Sequence, residues 1–93
     1  MWAVFEHRRV AGRLSRLPIE ILKRYEKWKD IVEVSGPRGL RMIKGFHDEG
    51  LQGQWKGARS SRLGLQYRVI YQVVEQEIRV LVIDITAHDY RRK

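Results

Sequence analysis

Apolar residues recur along the chain with two different periods, and the switch between them divides it. Residues 2–6 alternate, with Trp2 and Val4 set against Ala3 and Phe5, a pattern that suits a short strand. From residue 7 to residue 17 the period lengthens. Val10, Leu14 and Leu17 fall at i, i+4 and i+7 on one helical stripe, and Arg8, Arg9, Arg13 and Arg16 lie largely off it as a solvated face. Gly12 within this helix costs about 1 kcal/mol relative to alanine. Pro18 suits the first turn of a second helix, where its missing N–H is no loss. Over residues 18–34, Ile21, Tyr25, Trp28 and Val32 repeat at intervals of 4, 3 and 4, and Leu22 and Ile31 widen the stripe. Ser35-Gly36-Pro37 ends it, with glycine as a C-terminal cap and proline as a breaker. Two amphipathic helices joined by a short turn form a hairpin whose shared apolar face must cover something.

The cover comes from the second half. Residues 67–74 and 78–85 are rich in β-branched and aromatic side chains and are separated by Glu75-Gln76-Glu77, as two strands of a hairpin would be. Val69, Tyr71 and Val73 share one face of the first strand, and Arg68, Ile70, Gln72 and Val74 the other. In the second, Leu81, Ile83 and Ile85 oppose Val80, Val82 and Asp84. Residues 54–60 supply a third strand. Residues 36–53 hold five of the eight glycines and read as an irregular connection. The expected fold is α+β: an N-terminal strand, a helical hairpin, then a three-stranded antiparallel meander, forming one sheet packed on the helices. The face away from the helices is left open for a concave basic surface.

The 93 residues suit a single domain, 1–93, and 43% hydrophobic content suffices for one modest core. Absence of cysteine excludes a disulfide scaffold, a thiol nucleophile and a thiolate zinc site. No apolar run reaches the roughly 18–20 residues of a membrane helix. The first residues carry their charges after the apolar ones, the reverse of a signal peptide. A cytoplasmic protein without membrane contact is expected.

Charge changes the picture further. Nineteen Lys and Arg against eleven Asp and Glu give a net charge of +8, which attracts polyanions. Between residues 50 and 74 stand Lys56, Arg59, Arg62 and Arg68 with no acid at all. His7, His47 and His88 are scattered, and Asp48-Glu49 has no partner at ligand spacing, so no metal or other cofactor is expected. The serines lack a nucleophile elbow and the glycines form no phosphate loop. His88 directly follows the last strand, where an imidazole can act as acid or base near neutrality. Asp84 is read as orienting a neighbouring cation, and Trp55 and Tyr71 as packing residues.

Three blocks in this order, Leu51-Gln52-Gly53-Gln54-Trp55-Lys56-Gly57, then Tyr67-Arg68-Val69-Ile70-Tyr71, then residues 80–85 with His88, resemble the RelE/ParE superfamily of toxins, with RelE- and YafQ-type members nearest. The likeness is best over residues 50–90. It implies the toxin of a type II toxin–antitoxin module, a ribosome-dependent, metal-independent mRNA endoribonuclease that inhibits translation. In that reaction the ribose 2′-OH attacks the adjacent phosphodiester, leaving a 2′,3′-cyclic phosphate and a 5′-OH. The likeness assigns His88 as general acid, Lys56 as a holder of phosphate charge and Arg68 as the transition-state cation. Tyr90 matches an aromatic that stacks on a base. Arg59 stands near a second lysine of RelE-type chains. Arg62 stands where YafQ-type chains have histidine, and Gln66-Tyr67 where they have Asp-Trp, so these departures leave the general base open. The implied partners are mRNA on the ribosome and a cognate antitoxin that wraps sheet and helices. Two alternatives keep the same fold: a ParE-like inhibitor of a topoisomerase, and a non-catalytic RNA- or ribosome-binding domain.

Overall fold

The structure, a computed structural model, describes residues 1–87. Strand β1 (Ala3–Glu6) leads to helix α1 (Arg8–Leu14), helix α2 (Ile19–Ser35) and a short helix α3 (Pro37–Arg41). Strands β2 (Glu49–Gly50), β3 (Ala58–Arg62), β4 (Arg68–Val74) and β5 (Arg79–Thr86) complete one sheet in the order β1-β5-β4-β3-β2. β1 joins parallel to β5, and the other pairings are antiparallel. The α+β layering and the central placing of β4 and β5 agree with the hydrophobic pattern. No helix among the described residues is long and apolar enough to cross a membrane.

Trp28 organises the helix-side core. Its ring stacks on Tyr25 at 5.8 Å between centroids and meets the edge of Tyr71 at 5.2 Å. Val10, Val32, Val69, Val80, Val82 and Ile85 close around them. At the margin, Tyr25 Oη donates to Glu6 Oε2 at 2.6 Å and Lys29 pairs with the same carboxylate at 3.6 Å, fastening α2 to β1.

Four expectations need correction. Residues 36–53 are not irregular throughout: Pro37 opens α3, a 3-10 turn spans Lys44–Phe46, and β2 makes a fifth strand. Five-residue and two-residue elements are too short to leave a periodic signal. The third strand begins at Ala58 rather than residue 54, because Gly53–Trp55 form a 3-10 turn and Gly57 takes φ 101°. Leu51, Ala58 and Ile70 then form a second, smaller apolar cluster, with Trp55 and Ile83 packed on it. The face opposite the helices is therefore partly covered. Finally, β5 does not alternate evenly. Ile70 pairs with Asp84 and Tyr71 with Val82, leaving Ile83 as the extra residue of a bulge. Ile85 consequently joins Val80 and Val82 in the main core, whereas strict alternation sets it on the other face.

The bulge lies just past the end of β1, whose last residue pairs with Val82. There Arg13 of α1 reaches Asp84 at 3.2 Å and the carbonyl of Ile85 at 3.3 Å. Asp84 orients a cation as expected, and that cation belongs to the helix face read as solvated.

Gly36 joins α2 to α3 at φ 73°, and an added Cβ would lie 2.6 Å from Trp2 Nε1. Both the left-handed backbone and the indole exclude a side chain. Gly36→Ala should lower stability by roughly 2–4 kcal/mol, the backbone strain adding to displacement of the ring; urea denaturation followed by tryptophan fluorescence measures it.

Candidate nucleic-acid interface

Antiparallel register partners project side chains to the same face. Arg62 of β3 is the partner of Arg68 of β4, and Arg68 is in turn the partner of Thr86 of β5. These three residues form a row at one end of the sheet, on the face that Ser60 and Ile70 share. Arg68 is nearly buried, with its side chain 6% exposed. Its Nη1 donates to Ser60 Oγ at 3.4 Å and lies 3.7 Å from Glu49 Oε2. Glu49 pairs with Ser60 across β2 and β3, and its side chain is 42% exposed. Arg62 Nε is buried with no hydrogen-bond partner among the described residues. Two guanidinium groups opposite one another repel. A bound anion between them would turn that repulsion into attraction, and a phosphate suits their forked donors.

A separate network sits on the helix side. Asp48, immediately before β2, is fully buried at its side chain. Arg59 donates to its Oδ1 from Nε at 2.8 Å, with Nη2 at 2.7 Å. Ser61 Oγ donates to Oδ2 at 2.6 Å, and Tyr71 Oη makes a short hydrogen bond to the same oxygen. Trp28 Nε1 donates to Ser61 Oγ at 3.0 Å, which ties the network to the core. Burial raises the Tyr71 phenol well above its ordinary value, reinforced by the charge and hydrogen bond of Asp48. For Arg59 burial works against the charge, yet the hydrogen bond and charge of Asp48 outweigh it and raise the guanidinium. The network fixes the residue before β2, and so sets Glu49 beside Arg68.

Neither a protein-family model nor a curated protein sequence matches the chain. Solved structures do. The archaeal RelE–RelB complex from Pyrococcus horikoshii OT3 contains a chain 27% identical, with a TM-score of 0.72, over 99% of this chain and 97% of that one. A YoeB/ParE toxin from Agrobacterium tumefaciens gives a TM-score of 0.74 at 16% identity over 94% and 99% of the two chains. A YafQ mutant from E. coli gives 0.64 at 16% identity over 91% of each. The chain has the fold of the RelE/ParE toxin superfamily.

On this RelE/ParE fold the residues anticipated for the site divide. Arg62 and Arg68 come together. Lys56 is exposed at the end of the turn Gly53–Trp55, on the approach to β3. Arg59 is opposite Tyr71 and beside Ser61, so it faces the helices, away from Arg62 and Arg68, and is engaged by Asp48. An RNA contact from Arg59 would therefore come from the helix side of the sheet and not from the Arg62–Arg68 face. Gln66 is exposed in the turn between β3 and β4. Tyr67 is half-buried and packs against the helix-side core rather than standing on the arginine face. His88 and Tyr90 lie outside the described residues; the chain leaves β5 at Thr86, opposite Arg68. Sequence reasoning missed Glu49, Ser60 and Thr86. The Asp48-Glu49 pair was visible, but only as a metal candidate without partners.

Asp48→Asn removes the charge that Arg59 faces and should cost about 2–4 kcal/mol, somewhat below a fully buried pair because Arg59 reaches solvent. Urea denaturation measures it. The two buried phenols also set an alkaline limit. Burial raises Tyr25, with Glu6 adding to the effect, as it does Tyr71. Above about pH 10 the unfolded chain releases these protons and the folded one keeps them, so stability falls with rising pH, by up to about 1.4 kcal/mol per pH unit for each phenol. In Tyr25→Phe the slope of unfolding free energy against pH between about 10 and 11 should shrink by one phenol's share.

Proposed function

We propose that this chain is the toxin of a type II toxin–antitoxin pair and that it cleaves mRNA on the ribosome without a metal ion. The observation that carries the reading is the cross-strand pair Arg62 and Arg68, two cations set against each other on one sheet face, with a buried Nε on the first that has no partner among the described residues. Similarity in fold to RelE, YoeB and YafQ toxins supports the class, and the net charge of +8 supports a polyanionic substrate.

The chemistry asks for a base, cations and an acid. Glu49 beside Arg68 is the group we assign to accept the ribose 2′ proton. The freed oxygen attacks the adjacent phosphorus, and the phosphorane carries extra negative charge on its equatorial oxygens. Arg68 and Arg62 face that charge, with Lys56 holding the flanking phosphate. The P–O5′ bond breaks, and His88 donates a proton to the departing oxygen. Products are a 2′,3′-cyclic phosphate and a 5′-OH; the nucleophile comes from the substrate, so no water or redox partner enters. Gln66 and Tyr90 are assigned to RNA contacts, whereas Tyr67 packs on the helix side and is left out of that surface. A cognate antitoxin and the ribosome are the partners, in the cytoplasm.

Purified protein added to ribosomes programmed with a defined message should cut within the A-site codon, read by primer extension, and only when ribosomes are present. Arg68→Ala, Glu49→Gln and His88→Ala should each slow single-turnover cleavage by about 10²–10⁴ while circular dichroism stays unchanged. Full-rate cleavage by all three variants would overturn the assigned roles. An intact message together with blocked DNA supercoiling would replace this reading by topoisomerase inhibition.

A further inference from the structure

Residues 36–47 carry Arg38, Arg41 and Lys44 and no acid. This stretch lies apart from the Arg62–Arg68 face and has no part in the chemistry above. Gly39 lets α3 lie close on α2, since an added Cβ would come 2.7 Å from Ser35 Cβ. Two hollows adjoin the short helix. One, of about 460 Å³, is lined by Ile31, Met42 and Ile43, with Arg38 at its margin. The other, of about 410 Å³, gathers Arg38, Arg41 and Arg59 against a single carboxylate, Glu75. Arg38 belongs to both, so they make one continuous surface, apolar at one end and cationic at the other.

Two further observations mark it as a contact surface. Met42 beside the apolar hollow is 84% exposed. Single exposed apolar residues are ordinary, but a flexible methionine over an apolar groove is a common feature of peptide-binding surfaces. Arg38 and Arg41 make no ion pair among the described residues, whereas Arg59 is already held by Asp48. The cationic end therefore offers two uncompensated guanidinium groups.

We propose that this α3 surface docks an acidic peptide segment, carboxylates on Arg38 and Arg41 and an apolar side chain in the groove of Ile31, Met42 and Ile43. Charge complementarity selects an acidic partner, and the groove selects a peptide over a nucleic acid, whose backbone has no aliphatic branch to fill it. That the segment belongs to the antitoxin rests on the toxin reading; the surface itself does not. A partner held here leaves the Arg62–Arg68 face open, so neutralisation would need a second segment or a steric block of ribosome entry.

The test is fluorescence anisotropy of the full chain with a labelled synthetic peptide of glutamate and leucine. Arg38→Glu/Arg41→Glu should weaken binding about tenfold or more, and Met42→Ser should weaken it at unchanged charge. An all-glutamate peptide should bind less well than the mixed one. Arg8→Glu/Arg9→Glu, the same charge change on exposed α1, should have a small effect. Equal loss in both double variants, or indifference to leucine and to Met42→Ser, would overturn the proposal and leave only non-specific attraction. A labelled single-stranded RNA that binds wild type and is lost in Arg38→Glu/Arg41→Glu, with the peptide unaffected, would overturn it in favour of RNA. Programmed-ribosome cleavage is read in parallel. Wild type that binds the peptide as described and cuts no message supports the surface and removes the mRNA-cleavage reading alone.

Discussion

A buried carboxylate cannot stay charged at modest cost unless its oxygens are met by donors, and Asp48 is met by three: Arg59, Ser61 and Tyr71. Those donors come from β3 and β4, while Asp48 comes from the loop after the helices. The network therefore closes the segment between α3 and β2 onto the sheet. Through Ser61 it also reaches Trp28 and hence the aromatic centre of the core. Half-satisfied, the same groups would oppose folding. Fully satisfied, they specify one position for the residue before β2.

That position has a chemical consequence on the other face. Successive residues of a strand point to opposite sides, so fixing Asp48 inward turns Glu49 outward, toward Ser60 and Arg68. One peptide unit thus links the stability of the core to the placing of a carboxylate beside an arginine. The same alternation separates Arg59 from Arg62 and Arg68: of the cations in the acid-free stretch, one is structural and two share a face. Charge alone could not distinguish them, because a net count is blind to phase.

The helices and the two long strands were legible because each runs for at least two periods of its own pattern, and Trp28, Tyr25 and Val32 fall on the buried stripe they mark. The short elements α3 and β2 were not legible, since five or two residues cannot establish a period. The strand read from residue 54 begins only at Ala58, because Gly53 and Gly57 bend the chain and send Trp55 onto the smaller apolar cluster. Of the candidate site, Arg62 and Arg68 were singled out through charge and motif, and strand register sets them side by side. Glu49 was passed over, as nothing in a linear reading sets it beside a residue nineteen positions later.

The order of amino acids by itself determined the layer architecture, the buried stripe of α2 and the concentration of positive charge after residue 50, because all three are local properties of spacing and composition. Tertiary structure alone decided which cations share a face, which carboxylate joins them, and where the β5 alternation breaks at Ile83. Those are matters of register and of which loop closes on which strand, and they are settled by long-range hydrogen bonds and packing that no stretch of the chain contains within itself.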